Sequence, residues 1–112
     1  MSDAIVPHPT IEVVFQALGD STRRALFETL TRDGERNVRA LTATAGVSQP
    51  MVSRHLAILQ QAGLVGARRQ GRETHFTARP EGLVPLAGWM TRQGGFWNVR
   101  MDALEGVSED RE

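Results

Sequence analysis

The side chains in this sequence best suited to chemistry are its arginines. All thirteen basic residues are arginine. Seven of them (Arg36, Arg39, Arg54, Arg68, Arg69, Arg72 and Arg79) fall in one stretch against a single acid, Glu73, a local charge of +6. The rest of the chain carries six arginines against twelve acids, so a formal net charge of zero conceals a cationic middle and anionic flanks. A guanidinium offers five N–H donors in a rigid fork that fits a phosphate or a guanine edge bidentately. A cationic centre in a neutral chain suits a polyanionic partner.

Other chemistries find little support. There is no cysteine, which excludes disulfides, thiolate metal sites and thiol redox sensing and makes a cytoplasmic location the default. His8, His55 and His75 show no ligand spacing, so no metal and no cofactor is expected. Ser53 and His55 lie two apart on one predicted helix and point in different directions. No Ser/His/Asp set, paired carboxylates or glycine-rich phosphate loop is evident, which argues against an enzyme. No apolar run approaches the ~18 residues of a membrane helix, and Met1–Thr10 lacks the pattern of a secretory signal. The 112 residues suit one domain.

The elements that must position the arginines follow from caps and periodicity. Residues 1–9, with Pro7 and Pro9, read as an extended arm, 10–105 as the folded domain, and 106–112 as an acidic tail. Thr10 can cap a short helix reaching Leu18, with Val14, Phe15 and Leu18 apolar. Asp20 or Ser21 can cap a second, with Ala25, Leu26, Phe27 and Leu30 inward and a stop at Asp33-Gly34. Asn37 can cap a helix carrying Val38, Leu41 and Ala45. Gly46 breaks it, and Val47 is expected as a buried turn residue. Ser48 caps the next helix, with Pro50 in its first turn and Val52, Leu56 and Leu59 as its apolar stripe. Two short helices joined by a glycine-containing turn make a helix-turn-helix. Leu64–Gln70 and Glu73–Ala78 then flank Gly71 as a hairpin, with Leu64, Val65 and Phe76 inward. A last helix runs from about Leu83 to Leu104, with Pro85 in its first turn. The fold class is mainly α with a small β-hairpin wing.

This arrangement suits double-stranded DNA, whose major groove admits a helix read mostly through its first turns. The residues expected to face outward there are Ser48, Gln49, Pro50, Met51, Ser53, Arg54 and His55. Gln49 matches adenine N6/N7, and Arg54 matches phosphate or guanine. No acid occurs between Arg36 and Leu64. Arg68, Arg69 and Arg72 fall at the hairpin tip, placed for backbone or minor groove. A module docking protein through the same helices is the alternative, and the arginine-only wing argues against it.

The run Val47-Ser48-Gln49-Pro50-Met51-Val52-Ser53-Arg54-His55-Leu56, continuing through Leu59 to Ala62-Gly63-Leu64-Val65, resembles the recognition helix of the ArsR/SmtB transcriptional repressors. Phe15 to Arg24, with Leu26 and Leu30, is similar to the same family. Trp89, Phe96-Trp97, Arg100 and Leu104 resemble its cysteine-poor branch. The likeness spans about residues 10–105 and implies a winged helix-turn-helix repressor, a homodimer that leaves an operator on a signal. The family's arsenic sensors carry a cysteine pair on the first helix of the helix-turn-helix. That helix here reads Val38-Arg39-Ala40-Leu41-Thr42-Ala43-Thr44, without a thiol. Zinc-sensing relatives place histidine and carboxylates on the last helix, which here offers Asp102 and Glu105 but no histidine. The resemblance is therefore to a branch that does not sense metals.

The last helix carries more large apolar side chains than one small core can cover, and pairing with a two-fold copy removes that surface from water. The interface expected from the N- and C-terminal helices contains Val14, Leu86, Trp89, Met90, Phe96, Trp97, Met101 and Leu104. A small-molecule inducer, with space beside Trp89 and Trp97, is left open as a further partner.

Overall fold

The computed structural model describes residues 10–94. In chain order it contains α1 (Ile11–Leu18), α2 (Ser21–Asp33), β1 (Arg36–Asn37), α3 (Val38–Ala45), α4 (Gln49–Gln61), β2 (Val65–Gln70), β3 (Glu73–Ala78), a 3-10 turn (Pro80–Leu83) and α5 (Val84–Arg92). The first four helices begin at side-chain caps expected from the sequence. Thr10 accepts the Val13 N–H, Asp20 that of Arg23, Asn37 that of Ala40 and Ser48 that of Met51, at 3.4, 3.0, 2.8 and 3.3 Å. Each bond satisfies an amide that the helix itself leaves without a partner.

The core lies between α2, α3, α4 and the base of the hairpin. Leu26, Phe27 and Leu30 meet Leu41, the α4 stripe of Val52, Leu56 and Leu59, and the strand residues Leu64, Val65 and Phe76. Burial of each large apolar side chain contributes roughly 1.5–3 kcal/mol, so this cluster sets the relative placement of the two helix-turn-helix elements. Two expectations about it fail. Ala25 is exposed and Val47 only half-buried. Leu26, Phe27 and Leu30 already complete the α2 face, and α2's 3.6-residue period turns position 25 outward, while Val47 packs against the cluster with part of its side chain exposed.

Helix α4 ends in a glycine lock. The Leu64 N–H donates to the Leu59 carbonyl and the Gly63 N–H to Gln60, while Gly63 has φ +77°. This is a Schellman ending, and Leu59 against Leu64, both fully buried, supplies its usual apolar contact. The chain then enters the hairpin. β3 is central in a three-stranded antiparallel sheet of order β1-β3-β2. Gln70 pairs with Glu73, leaving Gly71-Arg72 as a two-residue turn. Gly71 supplies the positive φ, +65°, that such a turn needs at its first position. Strand β1 is not anticipated by the sequence reading. It is two residues long, with Arg36 opposite Phe76 and Asn37 opposite His75, too short to show alternation.

The last expected helix begins one residue later than Leu83, after the 3-10 turn, and is followed here to Arg92. Its continuation to Leu104, the arm at 1–9 and the tail at 106–112 lie outside the described residues. A methyl group on Gly82 would run into the Gly63 carbonyl. Gly82→Ala is therefore expected to destabilise the fold by about 1–3 kcal/mol, read from the urea midpoint with an unchanged slope.

Candidate nucleic-acid interface

Helix α4 has two distinct faces. Val52, His55, Leu56 and Leu59 are buried, whereas Gln49, Pro50, Met51, Ser53 and Arg54 are exposed. Ser48 is also exposed, but its hydroxyl oxygen is engaged as the cap of the helix. The exposed set contains no carboxylate. Its donors and acceptors occupy the first turns of a helix whose remaining side anchors it to the core.

Asn37, Val38, Arg39, Gln49, Arg72, Glu73 and Thr74 border an open cleft of about 300 Å³. The cleft brings Gln49 of the reading face beside Arg72 of the hairpin turn. It also brings in Arg39, an exposed residue in the first turn of α3 that the sequence reading left among the general cationic charge. The available signal is its position, two residues after an N-cap and inside the acid-free stretch.

The carboxylates near this surface are tied back. Asn37 Nδ2 donates to Glu73 at 3.2 Å, and His75 Nε2 stands 3.4 Å from the same oxygen. Arg68 is the departure within the wing trio. Its Nε and Nη2 both donate to one oxygen of Glu35, at 3.1 and 2.8 Å. It sits in mid-strand opposite His75, not at the tip, so the expected trio of free charges contracts. Arg69 is held to the Gly71 carbonyl at 3.4 Å. Arg54 and Arg72 make no side-chain hydrogen bond or ion pair among the described residues.

His55 corrects the sequence reading more sharply. Expected on the outward face, it is 7% exposed. Its spacing from Val52 (i+3) and Leu59 (i−4) puts it on the apolar stripe. Arg23 Nη1 stands 3.2 Å from His55 Nδ1. A guanidinium can only donate, so Nδ1 accepts and the neutral ring carries its proton on Nε2, which lies 3.9 Å from Asp20 Oδ2.

The expected dimer residues divide three ways. Val14 is fully buried within the chain and has no surface left to give a partner. Among its expected companions, Leu86 is half-buried, while Trp89 and Met90 are 38% and 57% exposed. Phe15, also exposed, meets Trp89 edge to face with ring centroids 5.8 Å apart. Phe96, Trp97, Met101 and Leu104 lie outside the described residues.

Comparison with known proteins decides what kind of regulator this geometry serves. The family model described as "Bacterial regulatory protein, arsR family" matches residues 20–66, from the α2 cap into β2. The chain is 41% identical over 93 residues to the probable mercury resistance operon repressor of Streptomyces lividans, covering 78% of this chain and 74% of that protein. The chain belongs to the ArsR family. Its ArsR-family relatives are transcriptional regulators, and the described residues have the winged helix-turn-helix fold of that family. It is also 40% identical over 72 residues to an arsenic resistance transcriptional regulator of Pseudomonas putida, covering 64% of this chain and 56% of that protein. The chain therefore matches just over half the length of that relative. Among solved structures, a homodimeric winged helix-turn-helix DNA-binding domain of a possible ArsR-family regulator from Mycobacterium bovis superposes with a TM-score of 0.60. Identity there is 27%, over 76% of this ArsR-family chain and 78% of the other.

Asp20 links this surface to pH. Its carboxyl lies below its ordinary pKa, first because it accepts the Arg23 backbone N–H, with the Arg23 charge adding in the same direction. A depressed carboxyl stabilises the fold above its unfolded-state pKa, and that contribution is lost as pH falls through the folded-state value. Asp20→Asn retains a capping side chain without the charge. It is expected to flatten the fall of the thermal midpoint between about pH 5 and pH 2, measured by circular dichroism.

Proposed function

We propose that this ArsR-family chain is a cytoplasmic repressor that binds an inverted-repeat operator as a homodimer, independently of metal ions. Helix α4 enters the major groove. Gln49 and Arg54 read base edges, the short side chains of Ser48 and Ser53 allow close approach, and Arg72 and Arg39 grip the flanking backbone. The observation that carries this reading is the carboxylate-free exposed face of α4, whose Gln49 borders an open cleft with Arg39 and Arg72, while Glu73 of that cleft is bonded to Asn37 and Glu35 to Arg68. A helix exposed only to water has no need of such an arrangement, whereas a phosphate-rich groove does. The homodimeric M. bovis domain supports pairing. So does the apolar surface formed by Val13, Phe15, Val84, Trp89 and Met90, each at least 36% exposed. Two-fold pairing sets half-sites about 10 bp apart, or a multiple of that.

Mobility-shift titrations at several salt concentrations test the DNA reading. A dimer engaging ~6 phosphates gives a log–log slope near −5, and a slope near zero would count against the model. Gln49→Ala and Arg54→Ala are expected to abolish operator selection. Arg72→Ala should weaken all duplexes alike and reduce the slope by about 1 per site. Arg68→Ala should do less than Arg72→Ala, because Glu35 already engages that guanidinium. Sedimentation equilibrium tests pairing: Trp89→Ala is expected to raise the dimer dissociation constant at least ~tenfold.

A further inference from the structure

We infer that Arg23 and His55 are positioning residues that set the rotation of the DNA-reading helix without touching DNA, an inference that rests on the function proposed above. His55 is the one buried polar or charged side chain among the described residues. It follows Arg54 directly on α4, and its ring faces the corner where α1 ends and α2 begins.

That corner is assembled by α2 arginines. The last carbonyls of α1 lack helical partners and carry the negative end of its dipole. Arg24 Nη1 donates to the Leu18 carbonyl at 2.6 Å, Arg23 Nε to Ala17 at 2.7 Å and Arg23 Nη2 to Gln16 at 3.0 Å. The remaining arm of the Arg23 fork points the other way, to His55 Nδ1. One planar group thereby joins α1, α2 and α4.

Between α1 and the later part of α4 lies an open groove of about 500 Å³, with Val13 and Gln16 on one side, Ile58 and Gln61 on the other, and Arg23 also lining it. Aliphatic packing tolerates small rotations of a helix, because dispersion and burial are non-directional. A hydrogen bond to an in-plane imidazole lone pair is directional. An aliphatic residue at position 55 would fill the stripe between Val52 and Leu59 equally well, yet could not report the angle of α4 to the α1–α2 corner. Because α1 also carries Phe15 against Trp89 of α5, the same bond refers the reading helix to the helix pair that bears the exposed apolar surface.

The test compares His55→Leu, His55→Asn and Arg23→Lys with the wild type. The probes are a duplex enriched from genomic fragments by the wild-type protein and a random-sequence duplex of equal length. Affinity for each, the salt slope and the thermal midpoint are measured. His55→Leu is expected to stay folded and to keep random-duplex affinity and salt slope, while its preference for the selected duplex falls at least ~tenfold. His55→Asn retains an acceptor near the Nδ1 position and should keep that preference within about threefold. Arg23→Lys preserves charge but loses the fork and should behave like His55→Leu. Wild-type preference in His55→Leu overturns the inference, as does a parallel loss of random-duplex binding, which would mark a direct contact. Should His55→Leu fail to fold, equal preference in His55→Asn and Arg23→Lys overturns it instead. A wild-type protein that retains no duplex at all defeats the DNA reading itself, a separate result.

Discussion

Helix α4 must be gripped from behind firmly enough that its front can remain bare, and the rest of the described fold is arranged around that constraint. A 13-residue helix spans about 20 Å at 1.5 Å per residue, and on its own it would be marginal in water. Its order is therefore borrowed from tertiary packing. Val52, Leu56 and Leu59 enter the core, Ser48 closes the start, and the Gly63 turn closes the end. Only with those anchors can Gln49, Ser53 and Arg54 stand exposed without apolar support of their own.

Much of this was legible from local chemistry. The caps at Thr10, Asp20, Asn37 and Ser48, the breaks at Gly34, Gly46 and Gly63, and the strand bounds around Gly71 depend on interactions within a few residues. Those interactions are written in adjacent side chains. The apolar stripe of α4 was equally readable, and His55 belonged to it by spacing. Its residue type points the other way, because an imidazole reads as polar until a donor is known to meet it. That donor is 32 positions away.

The other departures share this cause. Glu35 lies 33 positions from Arg68, just outside the cationic stretch that begins at Arg36, so a guanidinium expected to be free is paired. Strand β1 exists because β3 offers it an edge, not because Arg36-Asn37 has strand character. Val14 was assigned to a surface by its spacing along α1, yet burial depends on which helices close over that face. Spacing says which residues share a side, and only packing says whether the side meets its own chain or a second copy. The site divides the same way. The exposure of Gln49, Pro50, Met51, Ser53 and Arg54 on α4 is legible in sequence, whereas the joining of Arg39, Gln49 and Arg72 around one cleft is not.

The balance of charge becomes clearer once these long-range bonds are included. A chain of zero net charge gains no general attraction to a polyanion, so attraction must arise from how its charges are distributed. Ion pairing lowers the effective charge of the wing stem at Arg68 and Glu35. The Asn37 amide and the His75 ring draw Glu73 back along the sheet. Among the described residues Arg54, Arg72 and Arg39 make no side-chain hydrogen bond or ion pair, and Arg39 and Arg72 border the same cleft as Gln49 of α4. A diffuse basic surface would hold DNA in any register. Under the proposed function, three guanidiniums around a helix whose angle is set from behind would discriminate among registers, because a rotation that loses the base edges would also pull the phosphates out of reach.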